Sequence, residues 1–477
     1  MKKLGLILVG ALIANSSVIA QTTDGQAEIA NIAELLKSNN TAGATEAAKQ
    51  AVKKNKKNLN FVIAVAQEFV KAKNFAVAEE YYNKAKSLNS KSADVYVLGG
   101  DIQAAQGKGG EACSLYEQAI YFDAKNANAY YKYSEAYTKS NPTLAIQKLE
   151  ELAQQCPELA NEANKRIAAI YYYNNRFADA AKAYHKVNTA DLSDEEIIYQ
   201  ATSYFFAGDT DNSIEIAKAG HDKNPRKGQF NRLLMFNNVS KKDYDAAVAA
   251  GNDLFNNSDP LPYTAYDHNF YAQALLGAKK YDEAVEQFKK AYDLDTTANR
   301  NETLQLISNA YESKGDYKSA IEYYDKYEAN LAPEAQTVAV LFQRAQLYYS
   351  MGGDEAYTAD ERKAANVKAD ECFKEVSEKA PDNYLGYLWR GRTNAQLDPE
   401  TDKGLAKPHY EKAAQILEAQ ANPANNSKLI ECYRYLCYYY FKKNGEKKDA
   451  LSTEYRNKIA AIDPNNAFIT ATAPAFK

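Results

Sequence analysis

The stretch AAIYYYNNRFADAAKAYHKV, Ala168–Val187, decides the fold. Its tyrosine run would favour a β-strand, but its second half carries a small–aromatic–apolar pattern at Ala180, Tyr184 and Val187 that recurs along the chain. Strong copies begin at Ala78, Ala112, Ala284 and Ala320, and weaker copies begin at Ala44, Ala145, Ser213, Ala247, Ala369, Ala406 and Ala450. From Ala44 to Ala284, successive copies start 33–37 residues apart. A fixed period of this length predicts a repeat protein.

Each copy is preceded by a second periodic segment, such as the one that contains Leu304, Ile307 and Tyr311. Apolar residues at helical spacing in both halves predict two helices per unit. Pairs such as Gly208-Asp209 and Gly315-Asp316 predict the turns between them. The expected fold is therefore an all-α solenoid of stacked helix pairs.

At this point the chain resembles the tetratricopeptide repeat (TPR) family, whose pattern is W-x2-L-G-x2-Y followed by A-x3-F, A and P. The resemblance covers about twelve units over residues 27–464, although Leu, Ile, Val or Tyr replaces the tryptophan almost everywhere. Gly251 and Glu454 stand where an aromatic is expected. The resemblance implies a right-handed superhelical solenoid of about twelve TPR-like helix-turn-helix repeats. It also implies a scaffold that binds a protein or peptide in its concave groove.

Two interruptions of the period suggest a division of the chain. We expect an N-terminal array over 21–330 and a C-terminal array over 331–477, joined near EANLAPEAQ at 328–336. Residues 352–366 are predicted to form a surface loop with lengthened helix ends. Residues 397–404 are predicted to form a turn-rich connection.

The N-terminus predicts export. A basic start, an apolar run from Leu4 to Ile13 and the small-residue end Val18-Ile19-Ala20 are typical of a signal peptide over 1–20. The alternative is a membrane anchor, but the run is short for that. No later stretch approaches 18 apolar residues, so the mature chain should contain no membrane-spanning segment. The expected location is the periplasm, either free or associated with an outer-membrane complex.

Charge and chemistry-bearing residues point away from nucleic acid binding and catalysis. The formal net charge is −4 and becomes −6 without Lys2 and Lys3, which does not suit nucleic acid. The four histidines lack metal-ligand spacing, and no phosphate loop, dinucleotide fingerprint or nucleophile elbow occurs. We expect no cofactor, no metal and no enzyme activity.

The five cysteines contain no CxxC pair and are interpreted as buried apolar residues. A single bridge, Cys432–Cys437 or Cys113–Cys156, remains open.

The TPR resemblance implies which residues of the first helices face the groove. The candidate partner-binding residues are Tyr131, Lys165, Tyr172, Tyr173, Phe205, Phe206, Arg232, Phe236, Tyr266 and Asn269, with Glu162 and Gln273 as further polar candidates. For any single tyrosine the alternative is packing, with the ring buried and the hydroxyl in water. As a series, they fit an interface, because tyrosine offers a large contact area at low entropic cost.

The predicted function is therefore a non-enzymatic interaction scaffold of the bacterial cell envelope, with a protein or peptide as its partner. Two alternatives stay open. The chain could be a structural component of an envelope or secretion assembly, or its tyrosines could stack on glycan or peptidoglycan.

Overall fold

A computed structural model describes residues 25–297 and 299–476, all helices, turns and loops with no strand in these ranges. The predicted signal peptide lies outside them. Twelve helices hold the first position of a repeat: α1 Gln26–Lys37, α3 Leu59–Lys71, α5 Ala93–Ala105, α7 Ala127–Tyr137, α9 Ala160–Tyr173, α11 Asp194–Phe206, α13 Gly228–Lys241, α15 Ala265–Gly277, α17 Arg300–Lys314, α19 Val338–Gly353, α21 Tyr384–Leu397 and α23 Asn426–Lys443. Twelve hold the second: α2 Thr41–Lys54, α4 Phe75–Leu88, α6 Gly109–Phe122, α8 Pro142–Gln155, α10 Phe177–Tyr184, α12 Thr210–Lys223, α14 Tyr244–Asn252, α16 Tyr281–Leu294, α18 Tyr317–Ala329, α20 Ala359–Lys379, α22 Lys407–Gln420 and α24 Ala450–Ile462.

A last helix, α25, spans Ala467–Thr472, and a π-helical turn spans Asp253–Asn257. Short 3-10 turns occupy Pro157–Leu159, Thr189–Asp191, Pro333–Ala335, Pro423–Asn425 and Ala473–Phe476. The all-α prediction and the order of about twelve helix pairs along the sequence are confirmed.

Asparagine and aspartate side chains start many of these helices. The Asn40 carboxamide accepts a hydrogen bond from the Gly43 N–H at 3.0 Å, and Asp316 accepts one from the Ser319 N–H at 3.1 Å. Such caps satisfy N–H groups that have no partner within the helix. They explain why many of the helices begin directly after an asparagine or aspartate.

The turn inside most pairs has a left-handed residue at a fixed place, but the turns between α7 and α8 and between α19 and α20 have none. Gly208 and Gly315, predicted as turn residues, have φ of 80° and 85°. The next residue then donates its N–H to the carbonyl five positions back, as Asp209 does to Tyr204 at 2.9 Å. This closure reverses the chain within two or three residues. Lys73 and Lys279 hold the same place with φ near 60°, a conformation that disfavours residues with a Cβ.

The small–aromatic pattern packs helices together as predicted. Ala180 and Tyr184 are both fully buried. Gly100 on α5 lies directly under the ring of Tyr116 on α6, so that an added Cβ would lie 2.3 Å from a ring carbon. The aromatic ring therefore fills the space that the small residue leaves between two helices.

The contacts divide the described chain into two units. The first ends at Lys241 and also contains Asp253–Asp259, and the second contains Lys242–Asn252 and continues from Pro260. In each unit, every helix packs against its neighbours in sequence. The boundary expected near residue 330 falls between α18 and α19, inside the second unit.

The two predicted interruptions are more ordered than expected. Within 352–366, α19 extends to Gly353 and α20 begins at Ala359, so the lengthened helix ends are present but only 354–358 lies between them. The connection at 397–404 folds around Asp398, which is 6% exposed. Its carboxylate accepts hydrogen bonds from the N–H groups of residues 402–405, including Gly404 at 2.8 Å.

The cysteine interpretation is confirmed. All five cysteines are buried, and all five are free thiols, so neither Cys432–Cys437 nor Cys113–Cys156 forms a bridge. The Cys437 thiol donates to the Ser452 carbonyl oxygen at 3.1 Å.

Candidate functional site

The candidate site is a group of rings in the first unit that we call the aromatic patch. Two tyrosines end α9, two phenylalanines end α11, one tyrosine lies mid-way along α11 and one phenylalanine begins α10. The aromatic patch consists of Tyr172, Tyr173, Phe177, Tyr199, Phe205 and Phe206. It therefore lies where the first helices end and turn into the second helices.

The rings of the aromatic patch form a continuous series of contacts. Tyr172 stacks on Tyr199 with ring centroids 4.5 Å apart, and Phe177 stacks on Phe206 at 4.6 Å. Edge contacts join these two stacks, because Tyr172 meets Phe177 edge-on at 5.7 Å. Such offset and edge contacts add to the free energy gained from burial alone. The rings thus hold one another in a fixed arrangement.

Burial across the aromatic patch is partial. Tyr173 is 37% exposed, and the other five rings are half-buried. The Tyr173 hydroxyl donates to the Tyr199 hydroxyl oxygen at 3.2 Å. Burial raises the pKa of Tyr172 to about 12, so this phenol is neutral at physiological pH. The aromatic patch is a partly exposed surface of rings that are in contact with one another.

A band of alternating charges links α7, α9 and α11. Arg166 of α9 pairs with Glu135 of α7 at 3.4 Å and with Glu162 at 2.9 Å. Lys165 pairs with Glu196 of α11 at 3.1 Å and with Glu162 at 3.4 Å. Burial would lower the pKa of Lys165, but its hydrogen bonds and charge interactions with these carboxylates outweigh burial and raise that pKa. The sequence of charges links three consecutive first helices.

This band already occupies two of the predicted binding residues. The Arg166 guanidinium lies 3.9 Å from the ring centroid of Tyr131, a cation–π contact, and Lys165 is held by its two carboxylates. Because α9 rises about 1.5 Å per residue, Lys165 lies about 10 Å along the helix from Tyr172. Tyr131, Lys165 and Glu162 therefore belong to the charged band and not to the aromatic patch.

The remaining predicted residues do not join the aromatic patch equally. Phe236 on α13 is in ring contact with Phe205 at 6.1 Å but is only 3% exposed, so we remove it from the candidate surface. Arg232 is half-buried in the second turn of α13. Tyr266, which is 37% exposed, and Asn269 lie on α15 in the second unit. Asn269 accepts a hydrogen bond from Gln273 at 2.7 Å.

Sequence reasoning missed three residues of this region: Phe177, Tyr199 and Arg166. Phe177 and Tyr199 provide the two stacking partners of the aromatic patch, and Arg166 connects the charged band. Only Arg166 had a local signal, since it follows Glu162 by four residues and can pair with it on one helix face.

The described ranges offer neither a metal-binding cluster nor a helix that could span a membrane. In 25–297 and 299–476, no group of three or more His, Cys, Asp or Glu side chains could hold a metal ion. In the same ranges, no helix combines the length and the apolar content needed to cross a bilayer.

The fold and the repeat pattern define a class of helix-pair repeat scaffolds. Residues 271–335 match the model of a tetratricopeptide repeat family. This match and the recurring helix pairs with small–aromatic packing show that the chain has the fold of a tetratricopeptide repeat protein.

Several solved structures are similar to this chain. The C-terminal part of a TPR repeat-containing protein from Cytophaga hutchinsonii is 25% identical, with 64% of this chain and 98% of that one covered and a TM-score of 0.42. A tetratricopeptide repeat protein from Parabacteroides merdae is 21% identical, with coverage of 54% and 98% and a TM-score of 0.34. YrrB, described as a TPR protein with an unusual peptide-binding site, is 19% identical, with coverage of 39% and 96% and a TM-score of 0.31. No match was found among curated proteins.

The TPR fold suggests the broad function. The TPR fold is a scaffold for protein–protein interaction, and TPR repeat proteins are generally non-catalytic. A protein partner is therefore implied, without its identity.

Proposed function

We propose that the aromatic patch binds an extended peptide or a helix of a partner protein by receiving its apolar side chains. The observation that carries this proposal is the series of six rings, half-buried to 37% exposed, that three consecutive helices hold in fixed contact. A surface that is already ordered loses little entropy on binding. Large, fixed aromatic side chains are also the residues on which binding free energy usually concentrates.

The orientation of the rings favours a peptide over a glycan. Sugar rings stack on open aromatic faces, whereas Tyr172 and Tyr199 cover each other at 4.5 Å, as do Phe177 and Phe206 at 4.6 Å. The exposed parts of the rings suit the methyl and methylene groups of Leu, Ile, Met or aromatic side chains of a partner. The charges of the adjacent band would repel a partner that places like charges against them. This repulsion would add specificity.

The test is a peptide selection with matched variants. Peptides are selected from a displayed random library on the full chain, and their affinities are measured by fluorescence anisotropy. Tyr173→Ala should weaken the selected peptides at least tenfold, because it removes the most exposed ring of the aromatic patch. Tyr173→Phe should retain most of the affinity, because the ring stays.

Tyr121→Ala is the control. Tyr121 on α6 is 83% exposed and lies outside the aromatic patch, so its loss should leave affinity unchanged. Selected peptides that bind Tyr173→Ala and Phe205→Ala as tightly as the original chain would refute the proposal. Circular dichroism checks that each variant keeps its helices.

We also propose that this interaction takes place in the periplasm, on the basis of the signal-peptide pattern at 1–20. Cell fractionation with and without residues 1–20 tests the location. Recovery of the full chain in the cytoplasm, at the same level as the truncated chain, would contradict it.

A further inference from the structure

A second surface in the first unit has a different character. Four lysines lie at the C-terminal end of α2 and in the turn after it, and two lie near the C-terminal end of α4. This surface, which we call the lysine edge, consists of Lys53, Lys54, Lys56, Lys57, Lys84 and Lys86. All six side chains are exposed.

The fold brings the six lysines to one side of the first two repeats. Both α2 and α4 pack against α3 and connect to it through short turns, so both run antiparallel to it. Their C-terminal ends therefore lie beside the N-terminal end of α3, which begins at Leu59. The negative poles of the α2 and α4 dipoles lie there as well and offset the positive pole of α3, so the positive charge of this edge comes from the lysine side chains.

The lysine edge is not neutralised as other lysines are. Lys280, Lys290, Lys326 and Lys374 each pair with a glutamate three or four residues away. In the described part of the chain, no lysine of the lysine edge pairs with a carboxylate, and residues 47–67 contain no acidic residue. The Lys86 Nζ lies 5.8 Å from the ring centroid of Tyr82 and 5.5 Å from that of Tyr96, and these rings are its only close partners in the described ranges. Positive charge is thus concentrated there on a chain whose net charge is −4.

The kind of charge indicates the kind of partner. Lysine is a compact point charge. The planar, bidentate recognition of a single phosphate or a base edge uses arginine, and residues 41–91 contain no arginine. Single-stranded nucleic acid also needs exposed rings for stacking, and the α2 part of this surface has no aromatic residue. Clustered lysines suit a diffuse sheet of negative charge such as phospholipid headgroups. Leu88, 39% exposed at the end of α4, adds an apolar side chain that can enter the interface.

We propose that the lysine edge docks the protein peripherally onto an anionic phospholipid surface. Each lysine near such a surface strengthens binding about fivefold, and the attraction falls with rising ionic strength because salt screens it. The docking needs no membrane-spanning helix. It leaves the aromatic patch, on the later helices α9 to α11, to bind a partner independently.

The test is co-sedimentation of the full chain, without residues 1–20, with vesicles. Binding is expected to vesicles of phosphatidylcholine with phosphatidylglycerol, and not to phosphatidylcholine alone. It should weaken steeply between about 0.05 and 0.5 M sodium chloride. A fourfold variant with Lys53→Gln, Lys54→Gln, Lys56→Gln and Lys57→Gln should lose about 100-fold or more in partition coefficient.

The matched control is a second fourfold variant, with glutamine at the paired positions Lys280, Lys290, Lys326 and Lys374. It changes the net charge equally and should bind anionic vesicles as the original chain does. Equal loss in both variants would attribute binding to net charge and overturn the proposal. Three other results would also overturn the proposal. They are a lack of binding to anionic vesicles, tighter binding to RNA than to vesicles, and stronger displacement from vesicles by inorganic phosphate than by sodium chloride at the same ionic strength.

Discussion

Substitution of Gly100 by alanine is expected to destabilise the first unit, contrary to the usual effect of this change in a helix. In an exposed helix interior, alanine is favoured over glycine by about 1 kcal/mol. At Gly100 the new Cβ would lie 2.3, 2.6 and 2.8 Å from three ring carbons of Tyr116, where ordinary contacts exceed about 3.4 Å. One ring or one helix must therefore move by about 1 Å.

Tyr116 cannot easily make that movement. It is 1% exposed, and its hydroxyl donates to the Asp101 carboxylate at 2.9 Å. Overpacking of this kind costs about 1–3 kcal/mol, and loss of the hydrogen bond would add about 1 kcal/mol or more. After the gain in helix propensity is subtracted, Gly100→Ala should lower the free energy of unfolding by about 1–3 kcal/mol.

The control is Gly110→Ala in the first turn of α6, where nothing lies within 4 Å of the added Cβ. This change should be neutral or stabilise by up to about 1 kcal/mol. Urea unfolding followed by circular dichroism gives the global effect, and hydrogen exchange of α5 and α6 gives the local one, because repeat arrays need not unfold in one step. If Gly100→Ala is as stable as Gly110→Ala, close approach of the two helices at this position is refuted.

Three further experiments, with four substitutions, test single features of the fold. Tyr184→Phe should raise the free energy of unfolding by about 1 kcal/mol, because the buried Tyr184 hydroxyl has no hydrogen-bond partner in the described chain. Tyr324→Phe should lower the free energy of unfolding by about 1 kcal/mol, because it removes a 3.0 Å hydrogen bond. Urea unfolding of both variants compares the two effects. The hydrogen bond from Lys318 helps to lower the pKa of Glu361 to about 2. The stabilisation that ionised Glu361 provides is therefore present above its unfolded pKa near 4.5 and is lost as pH falls toward 2. The difference in melting temperature between the original chain and Glu361→Gln should disappear over this pH range. Lys73→Gly should raise the melting temperature, by relief of about 1 kcal/mol of left-handed strain at φ 58°, and a lower value would contradict this account.

The repeat itself could be predicted because its residues act locally. Ala180 and Tyr184 mark a helix position whose spacing alone shows which face is buried, and Gly208 marks a turn that requires positive φ. Lys73 and Lys279 have the same turn conformation, although lysine is not a residue that favours positive φ. Only the repeat period could therefore predict the turns at these two positions. Here the neighbouring helices impose the conformation against the preference of the residue.

The candidate site was less predictable because its contacts cross between helices. Phe236 was assigned to a surface, yet it follows Leu233, Leu234 and Met235 in a helix that is buried on nearly all sides, so no periodicity distinguishes an outer face. Tyr199 was missed because it lies mid-way along α11, whereas Tyr172, on which it stacks, lies at the end of α9. Alignment of the repeats shows which positions are equivalent in successive units. The ring contacts form between positions that are not equivalent, so the alignment does not predict them.

The abundance of tyrosine, 38 residues against one tryptophan, has two separate physical causes. At the aromatic position of the repeat, Tyr116 and Tyr324 are 1% exposed, and their hydroxyls bind a carboxylate and the Val340 carbonyl oxygen of the next helix. Phe288 fills the equivalent position fully buried, so the ring provides the packing and the hydroxyl adds a link between elements. Tyr173 lies outside that position, keeps 37% of its surface, and bonds only to another phenol of the aromatic patch. Tyr173 also packs edge-on against Tyr172 and Tyr199, at 5.7 and 5.8 Å between ring centroids, so its exposed part and not its packing is the reason for proposing a peptide contact at the end of α9.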